Sequence, residues 1–420
     1  MPLPDLAVHR LGRDLAARWP RRGRALAGIL ASGAILGLVV LPASASSPIA
    51  VSLAGPNSYV QTNLVSDIPG VARRTDPGLV NPWGMSASPT SPVWISDNGT
   101  DLSTLEKGGI AGSPFVSPGL IVKIPGGEPT GQVFNPTQSF QIHSGSAKAP
   151  ALFIFASESG KITGWNSAVP LPAPSTNAQV AATVANAVYK GLALSTGTGG
   201  DWLYAANFHA GTIDVFDSSF HLVHWAGAFH DSAIPAGYAP FNIQNLNGQL
   251  FVTYAFQDSQ KHDDQAGTGR GFVDIYSLTG TLLKRLVSHG PLNSPWGLAL
   301  APAGFGEFGG DLLVGNFGNG RISAFNPVTG AYLGQLRNQD NLAITINGLW
   351  GLMFGNGTAG TPNTLLFTAG IGDESHGLMG VIDVAPVAGP PASPAPSPSA
   401  SPTASPAASP SASTSPYPTM

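Results

Sequence analysis

No cysteine occurs in the 420 residues, so no disulfide holds this chain and a compact state must rest on core burial. Charge is scarce as well. Lys, Arg, Asp and Glu make up 10% of the residues, against about 25% in ordinary soluble domains. A formal net charge of −4 argues against a general nucleic-acid binder, which usually shows a basic stripe. Amphipathic helical patterns of useful length are missing after the first 45 residues. What remains is 43% hydrophobic residues and 53 glycines, the balance expected of many buried strands joined by tight turns.

The two ends differ from the middle. Arg18, Arg21, Arg22 and Arg24 precede the apolar run Ala25–Leu41, which is followed by Ala43-Ser44-Ala45. A basic segment, an apolar segment and a small-residue cleavage site form a secretory signal, so residues 1–45 are expected to be removed on export. An uncleaved anchor is the alternative, because the run nearly reaches the roughly 20 residues of a spanning helix. The expected localisation is secreted or cell-envelope associated, with no membrane insertion of the mature chain. At the other end no charged residue follows Asp383, and 389–420 is almost wholly Pro, Ser, Ala and Thr. Such a segment cannot bury enough apolar area to offset ordering entropy, and a disordered stalk is expected there.

Between the ends the sequence repeats. A glycine, one residue, Ile or Val and then an aromatic or apolar residue recur from Gly119, Gly160, Gly211, Gly271, Gly320 and Gly380. An apolar strand precedes each, as in "LYAAN" (203–207) and "LLVGN" (312–316). A third phrase lies upstream of those: "PWGMS", "YKGLAL", "PFNIQ", "PWGLAL" and "LWGLMF", aligned on Gly84, Gly191, Asn242, Gly297 and Gly351. The first interval in that series is double the rest. One copy is therefore expected near residue 138, with Gln141 of "SFQIHS" in the glycine slot. Units of about 50 residues, each made of short strands, indicate a β-propeller. The spacing predicts an all-β, six-bladed β-propeller over 57–385, closed by an N-terminal strand within 59–70. Trp83, Trp296 and Trp350 read as core rather than ligand-stacking residues.

The segments "NPWGMSASPTSPVWISDNGT", "YAANFHAGTIDVFD" and "NSPWGLALAPAGFGEFGGDLLVGNFGNGRI" resemble a bacterial family of uncharacterised secreted proteins related to NHL-type propellers. Many members of that family carry a PEP-CTERM sorting signal, which this C-terminus lacks. The resemblance implies export and a propeller, and no reaction.

Turns between the second and third strand of each blade emerge on one face. With the loops placed at 97–118, 157–159, 207–210, 255–270, 316–319 and 370–379, nine acidic residues oppose three basic ones, which makes this rim electrostatically distinct. Two constellations stand out. The longest polar loop concentrates Asp258, Lys261, His262, Asp263 and Asp264, and with His209 these form the candidate ligand-binding set. Asp97, Asn207 and Asn316 share a strand-end position in three blades, with Glu158 near a fourth. Converging oxygen ligands suit Ca²⁺, the one cofactor expected, although Asn and Asp at strand ends commonly bond their own turns. Two functions follow: a binding or scaffold module using the acidic face, or a Ca²⁺-dependent hydrolase or lyase with its site in the channel. The expected partner is an extracellular protein, glycan or small ligand, and the protein a monomer. No catalytic residue is assigned, since neither a G-x-S-x-G elbow nor a cysteine nucleophile is present.

Overall fold

The computed structural model describes residues 58–386; the signal and stalk expected at 1–45 and 389–420 lie outside the described residues. Six sheets form the blades of a propeller, antiparallel throughout except for the two-residue strand Arg74–Thr75, which pairs parallel at the outer edge of the last blade. Blade 1 runs from the axis outward as Pro82–Ser86, Val93–Asp97, Leu102–Glu106 and Val122–Lys123. Blade 2 is Pro129–Phe134, Phe153–Ser157, Lys161–Trp165 and Gln179–Thr183. Blade 3 is Tyr189–Ser195, Trp202–Asn207, Thr212–Phe216 and Leu222–Val223. Blade 4 is Tyr238–Leu246, Gln249–Phe256, Phe272–Tyr276 and Leu282–Ser288. Blade 5 is Pro295–Leu300, Leu312–Asn316, Arg321–Phe325 and Tyr332–Gln335.

Blade 6 takes three strands from the C-terminal end, Leu349–Phe354, Leu365–Ala369 and Leu378–Val384, and its fourth from the N-terminal end, Tyr59–Ser66. Tyr59 lies opposite Val384 and Ser66 opposite Leu378. The edge that Leu378–Val384 would expose is thereby covered. Between blades 5 and 6 the buried Tyr59, Phe305, Phe308, Leu313, Phe367 and Ile382 form one cluster. Each such side chain contributes roughly 1.5–3 kcal/mol by leaving water, which is how a chain without disulfides holds its ring.

The repeated glycines mark where the inner strands touch. A Cβ on Gly84 would lie 2.5 Å from the Thr130 carbonyl oxygen, and one on Gly131 2.4 Å from the Leu192 nitrogen. Gly297 and Gly351 would meet Trp350 and Trp83 backbone oxygens in the same way, at 2.6 and 2.5 Å. Asn242 is the variation: its Nδ2 donates to the Trp296 oxygen at 2.7 Å, so the contact is a hydrogen bond instead of bare backbone approach.

Two strand assignments from the repeat are corrected. The inner strand of blade 2 is Pro129–Phe134 with Gly131 in the glycine slot; Gln141–Ser144 instead pairs with Ala147–Pro150 as a separate hairpin. That hairpin is inserted between the inner and second strands, and equal spacing therefore overshot the true position. The phrase at Gly119 feeds the fourth strand of blade 1, and the third is Leu102–Glu106. The upper turn of blade 1 thus shrinks to 98–101, and Glu106 leaves the rim for the sheet interior, fully buried beside Arg74.

Candidate functional site

Inner strands start at the upper face, where the turns between second and third strands also lie. The residue before each aligned glycine or Asn242 points at the axis: Trp83, Thr130, Lys190, Phe241, Trp296 and Trp350, all buried. The register between inner and second strand shifts at this place in all six blades, and such bulges re-aim side chains. The tryptophans are core, as expected, but core at the axis. Trp83 stacks on Trp350, and Trp296 meets both edge-on with ring centroids 5.9 and 5.8 Å away. Phe317, from the upper turn of blade 5, stacks on Trp350 at 4.0 Å. The aromatic plug closes the upper channel. Below it a cavity of about 680 Å³ is lined by the far halves of the inner strands and by no charged residue, so ionic chemistry belongs to the upper mouth.

Lys190 is the exception in this ring. Its Nζ pairs with Glu158 from the upper turn of blade 2 and with Asp263 Oδ1 at 3.1 Å from the long loop of blade 4. It also lies 5.1 Å from the centre of the Trp83 ring, a cation–π contact. Burial alone would lower the lysine pKa, but the two carboxylates outweigh it and the net shift is upward. His262 Nδ1 shares Asp263 Oδ1 at 2.9 Å. The bond to His262, then the charge of Lys190, hold the Asp263 carboxyl well below the usual range, and the same bond raises His262.

The network continues toward blade 6. Asn98 Nδ2 donates to Glu158 Oε2 at 2.9 Å, and Asn81 Nδ2 donates to Asn98 Oδ1 and to Glu374 Oε1, both at 3.2 Å. Trp350 Nε1 donates to Asn81 Oδ1 at 3.1 Å, which ties the amides to the plug. Burial pushes Glu374 up to about 7, against the opposing charge of Lys190 and the bond from Asn81. Burial likewise raises Asp264, one of whose oxygens is buried without a partner.

The two constellations expected from the sequence are therefore partly one. Glu158, from the metal set, joins His262 and Asp263, from the loop set, with one possible ligand atom each inside 4.8 Å. Lys190 bonds to both acids, so an ammonium already stands where a cation would. Asp97, Asn207 and Asn316 are not brought to this place. Asp97 accepts from the Thr104 nitrogen at 2.8 Å, Asn207 donates to Asp214 at 2.9 Å, and Asn316 accepts from the Asn293 nitrogen at 2.9 Å. Each is held within its own blade or the crossover leading into it. Asp258 accepts from the His262 nitrogen at 2.9 Å and shapes the loop. Lys261 is exposed at the loop tip, and the half-buried His209 makes no side-chain hydrogen bond among the described residues. Sequence reading missed Lys190, Asn81 and Asn98. For Lys190 a signal existed, because "YKGLAL" aligned with "PWGLAL" puts lysine in a tryptophan slot.

No protein-family model matches the chain. It is 34% identical over 350 residues to "Uncharacterized protein R648" of Acanthamoeba polyphaga mimivirus, covering 78% of this chain and 82% of that protein. It is 32% identical over 322 residues to "Uncharacterized protein L690" of the same virus, covering 71% and 80%. Among solved structures a catalytically inactive virginiamycin B lyase from Staphylococcus aureus with Quinupristin is similar at 11% identity and a TM-score of 0.46, covering 78% of this chain and 99% of that one. A Bacteroides thetaiotaomicron protein of unknown function is similar at 11% and 0.44, covering 79% and 74%. These two sequence relatives are viral, so they do not support the bacterial, sorting-signal family that the motifs resemble.

Proposed function

We propose, from the premise that the chain belongs to the family of the mimivirus proteins R648 and L690, that it is a binding module whose acidic upper face grips a basic partner. The observation that carries this reading is Asp263. Its side chain is 67% exposed, yet His262 and Lys190 hold it ionised and in place. An accessible anion on a fixed mount suits charge-assisted bonds to a ligand's donors. The pattern in residues 1–45 supports export, and with it an extracellular protein, glycan or small ligand bearing amine or guanidine groups. The test compares peptides of equal length that are basic, neutral or acidic. Basic peptides should bind, weaken with salt, and lose roughly tenfold to a hundredfold in affinity with Asp263→Asn, as a lost bond to a charged group implies. Equal binding of all three classes, or none, would overturn it.

A second reading, a Ca²⁺-dependent hydrolase or lyase at the same mouth, draws on Glu374. A carboxyl raised to about 7 beside one held ionised is how acid and base roles are separated. Calcium-stimulated turnover of simple lactones or esters, lost with Glu374→Gln, would favour it over the binding module.

A further inference from the structure

A cavity of about 460 Å³ opens on the upper face beside the plug, walled by the upper turns of blades 5 and 6, by Asn347 and Gly348 at the end of the crossover into blade 6, and by Ala266 of the long loop. Its lining is mostly backbone: Gly318, Gly320, Gly348, Gly370 and Gly372 contribute no side chains. Five side chains give it chemistry, of which Asn319 is turned to the Arg321 nitrogen and Asp373 sets a second, exposed carboxylate on the rim beside Glu374. Phe317 offers a ring backed by Trp350. Asn347 offers an amide that makes no hydrogen bond among the described residues. Glu374 offers a carboxylate whose Oε1 is held by Asn81, while Oε2 makes no bond among the described residues. Glu374 and Asp373 both sit at positive φ, 63° and 53°, so the turn holds this carboxylate in a conformation that side chains other than glycine seldom adopt.

The charged groups facing Glu374 are Lys190 from blade 3, Glu158 from blade 2 and Asp263 from blade 4. Asp373 adjoins it, and His376 on the same turn is turned to Asp67 at 2.6 Å. Lys190 is already shared by Glu158 and Asp263. Two carboxylates therefore divide one ammonium, and Glu374 is left without a cation of its own. A flat ring beside an uncompensated carboxylate is the arrangement that binds organic cations, by stacking and by charge.

We propose that this cavity is a subsite for a single organic monocation, a guanidinium or primary ammonium side chain, with Glu374 as its counter-ion and Phe317 as its stacking wall. The proposal rests on the reading of the upper face as a binding surface for a basic partner, and names the group that the partner inserts. Binding stabilises the ionised form of Glu374, so it releases a proton near neutral pH. With the carboxyl at about 7, its ionised fraction, and hence affinity, should rise up to about thirtyfold from pH 5.5 to 8.

The probes are Nα-acetyl-arginine amide and Nα-acetyl-lysine amide, with the acetyl-citrulline amide as neutral control, titrated calorimetrically in two buffers of different ionisation enthalpy. At least one cation should bind with proton release, and the citrulline compound should not. Glu374→Gln keeps the bond from Asn81 and should lower affinity at least tenfold while removing the pH dependence. Phe317→Leu should weaken binding severalfold, and serves should the glutamine variant misfold. Binding of the neutral compound at similar affinity, or cation binding unaffected by both variants, would overturn the subsite. Failure of both cations, while basic peptides still bind through Asp263, would sink the subsite and leave the binding module standing. Cation binding without any peptide binding would do the reverse.

Discussion

Replacing Lys190 with methionine tests the centre of the site, because methionine keeps most of the volume and removes only the ammonium. In the native protein the Lys190 side chain is 2% exposed and that of Glu158 8%. Without the ammonium, Glu158 keeps the bond from Asn98 but is left buried beside Asp263 with no counter-charge. Removing one partner of a buried pair typically costs about 3–5 kcal/mol, which for a domain of this size is on the order of 5–15 °C in Tm. Lys190→Met combined with Glu158→Gln should recover most of that loss, since no unpaired charge then remains. The pH dependence has a definite sign. The folded pKa of Lys190 is raised, so its stabilisation is fully present below the unfolded value of about 10.4 and is lost as pH rises through the folded one. The contribution of Lys190 itself to the gap between wild type and Lys190→Met should therefore persist up to about pH 10, on top of a change near neutral pH where Glu374, whose ionisation Lys190 favours, titrates. Calcium offers a second readout, because a ligand of the native state raises its stability. Millimolar calcium should leave the wild-type melt unmoved and raise that of Lys190→Met, where Glu158, His262 and Asp263 lose their internal cation. Thermal melts by circular dichroism measure all of this. A single variant melting within about 1 °C of wild type, or a double variant no better than the single, would refute the ion-pair reasoning; an equal calcium rise in wild type would reinstate the metal reading.

Glu106 is buried in blade 1 with its pKa pushed up by burial to about 7, against the opposing Arg74. A raised carboxyl contributes stability below its unfolded value that is lost as pH rises through the folded one; wild type should lose on the order of 2–3 kcal/mol between pH 4.5 and 7.5 relative to Glu106→Gln, and parallel pH-dependent melts would disprove it. Two glycine replacements separate crowding from backbone strain. Gly131→Ala places a Cβ against the backbone of the next blade and should cost about 1–3 kcal/mol, whereas Gly211→Ala meets open space at φ 73° and should cost about 1–2 kcal/mol from its left-handed conformation alone. Chemical denaturation of both settles the comparison: Gly131→Asn, which imitates Asn242, should be milder than Gly131→Ala only where the amide finds an acceptor across the blade boundary.

The architecture was legible because a propeller blade is covered on both faces, so its strands read as apolar runs, and because axial crowding demands small residues at one repeated place. Closure by Tyr59–Ser66 was legible for a related reason: the last blade runs out of strands at Val384. Blade 2 was read wrongly where its inner strand departs from the pattern. "PTGQVF" carries Thr130 in the slot that three other blades fill with tryptophan, and the threonine hydroxyl bonds the Tyr189 oxygen at 2.7 Å. A hydrogen bond does there what an indole does elsewhere, and no hydrophobic signal marks it. The inserted hairpin of Gln141–Ser144 and Ala147–Pro150 then supplied a decoy at the expected distance.

The site was legible only as letters. Asp97, Asn207 and Asn316 occupy equivalent strand ends, but position along a strand does not decide where a short polar side chain turns; nearby donors do. The Thr104 nitrogen captures Asp97, and the nitrogen of Asn293 captures Asn316. Lys190 had no comparable bond partner on its own strand. Its Nζ meets acids 32 residues before it and 73 after it, each from a different blade, and those separations carry no motif. What joins them is the ring itself: a side chain in the axial slot lies within reach of the upper turns of both neighbouring blades. A lysine in a slot otherwise held by aromatic residues or threonine must therefore find anions on those turns or remain an unpaired buried charge. In a chain with so few charges, Glu158 and Asp263 are the residues on those turns that meet the requirement.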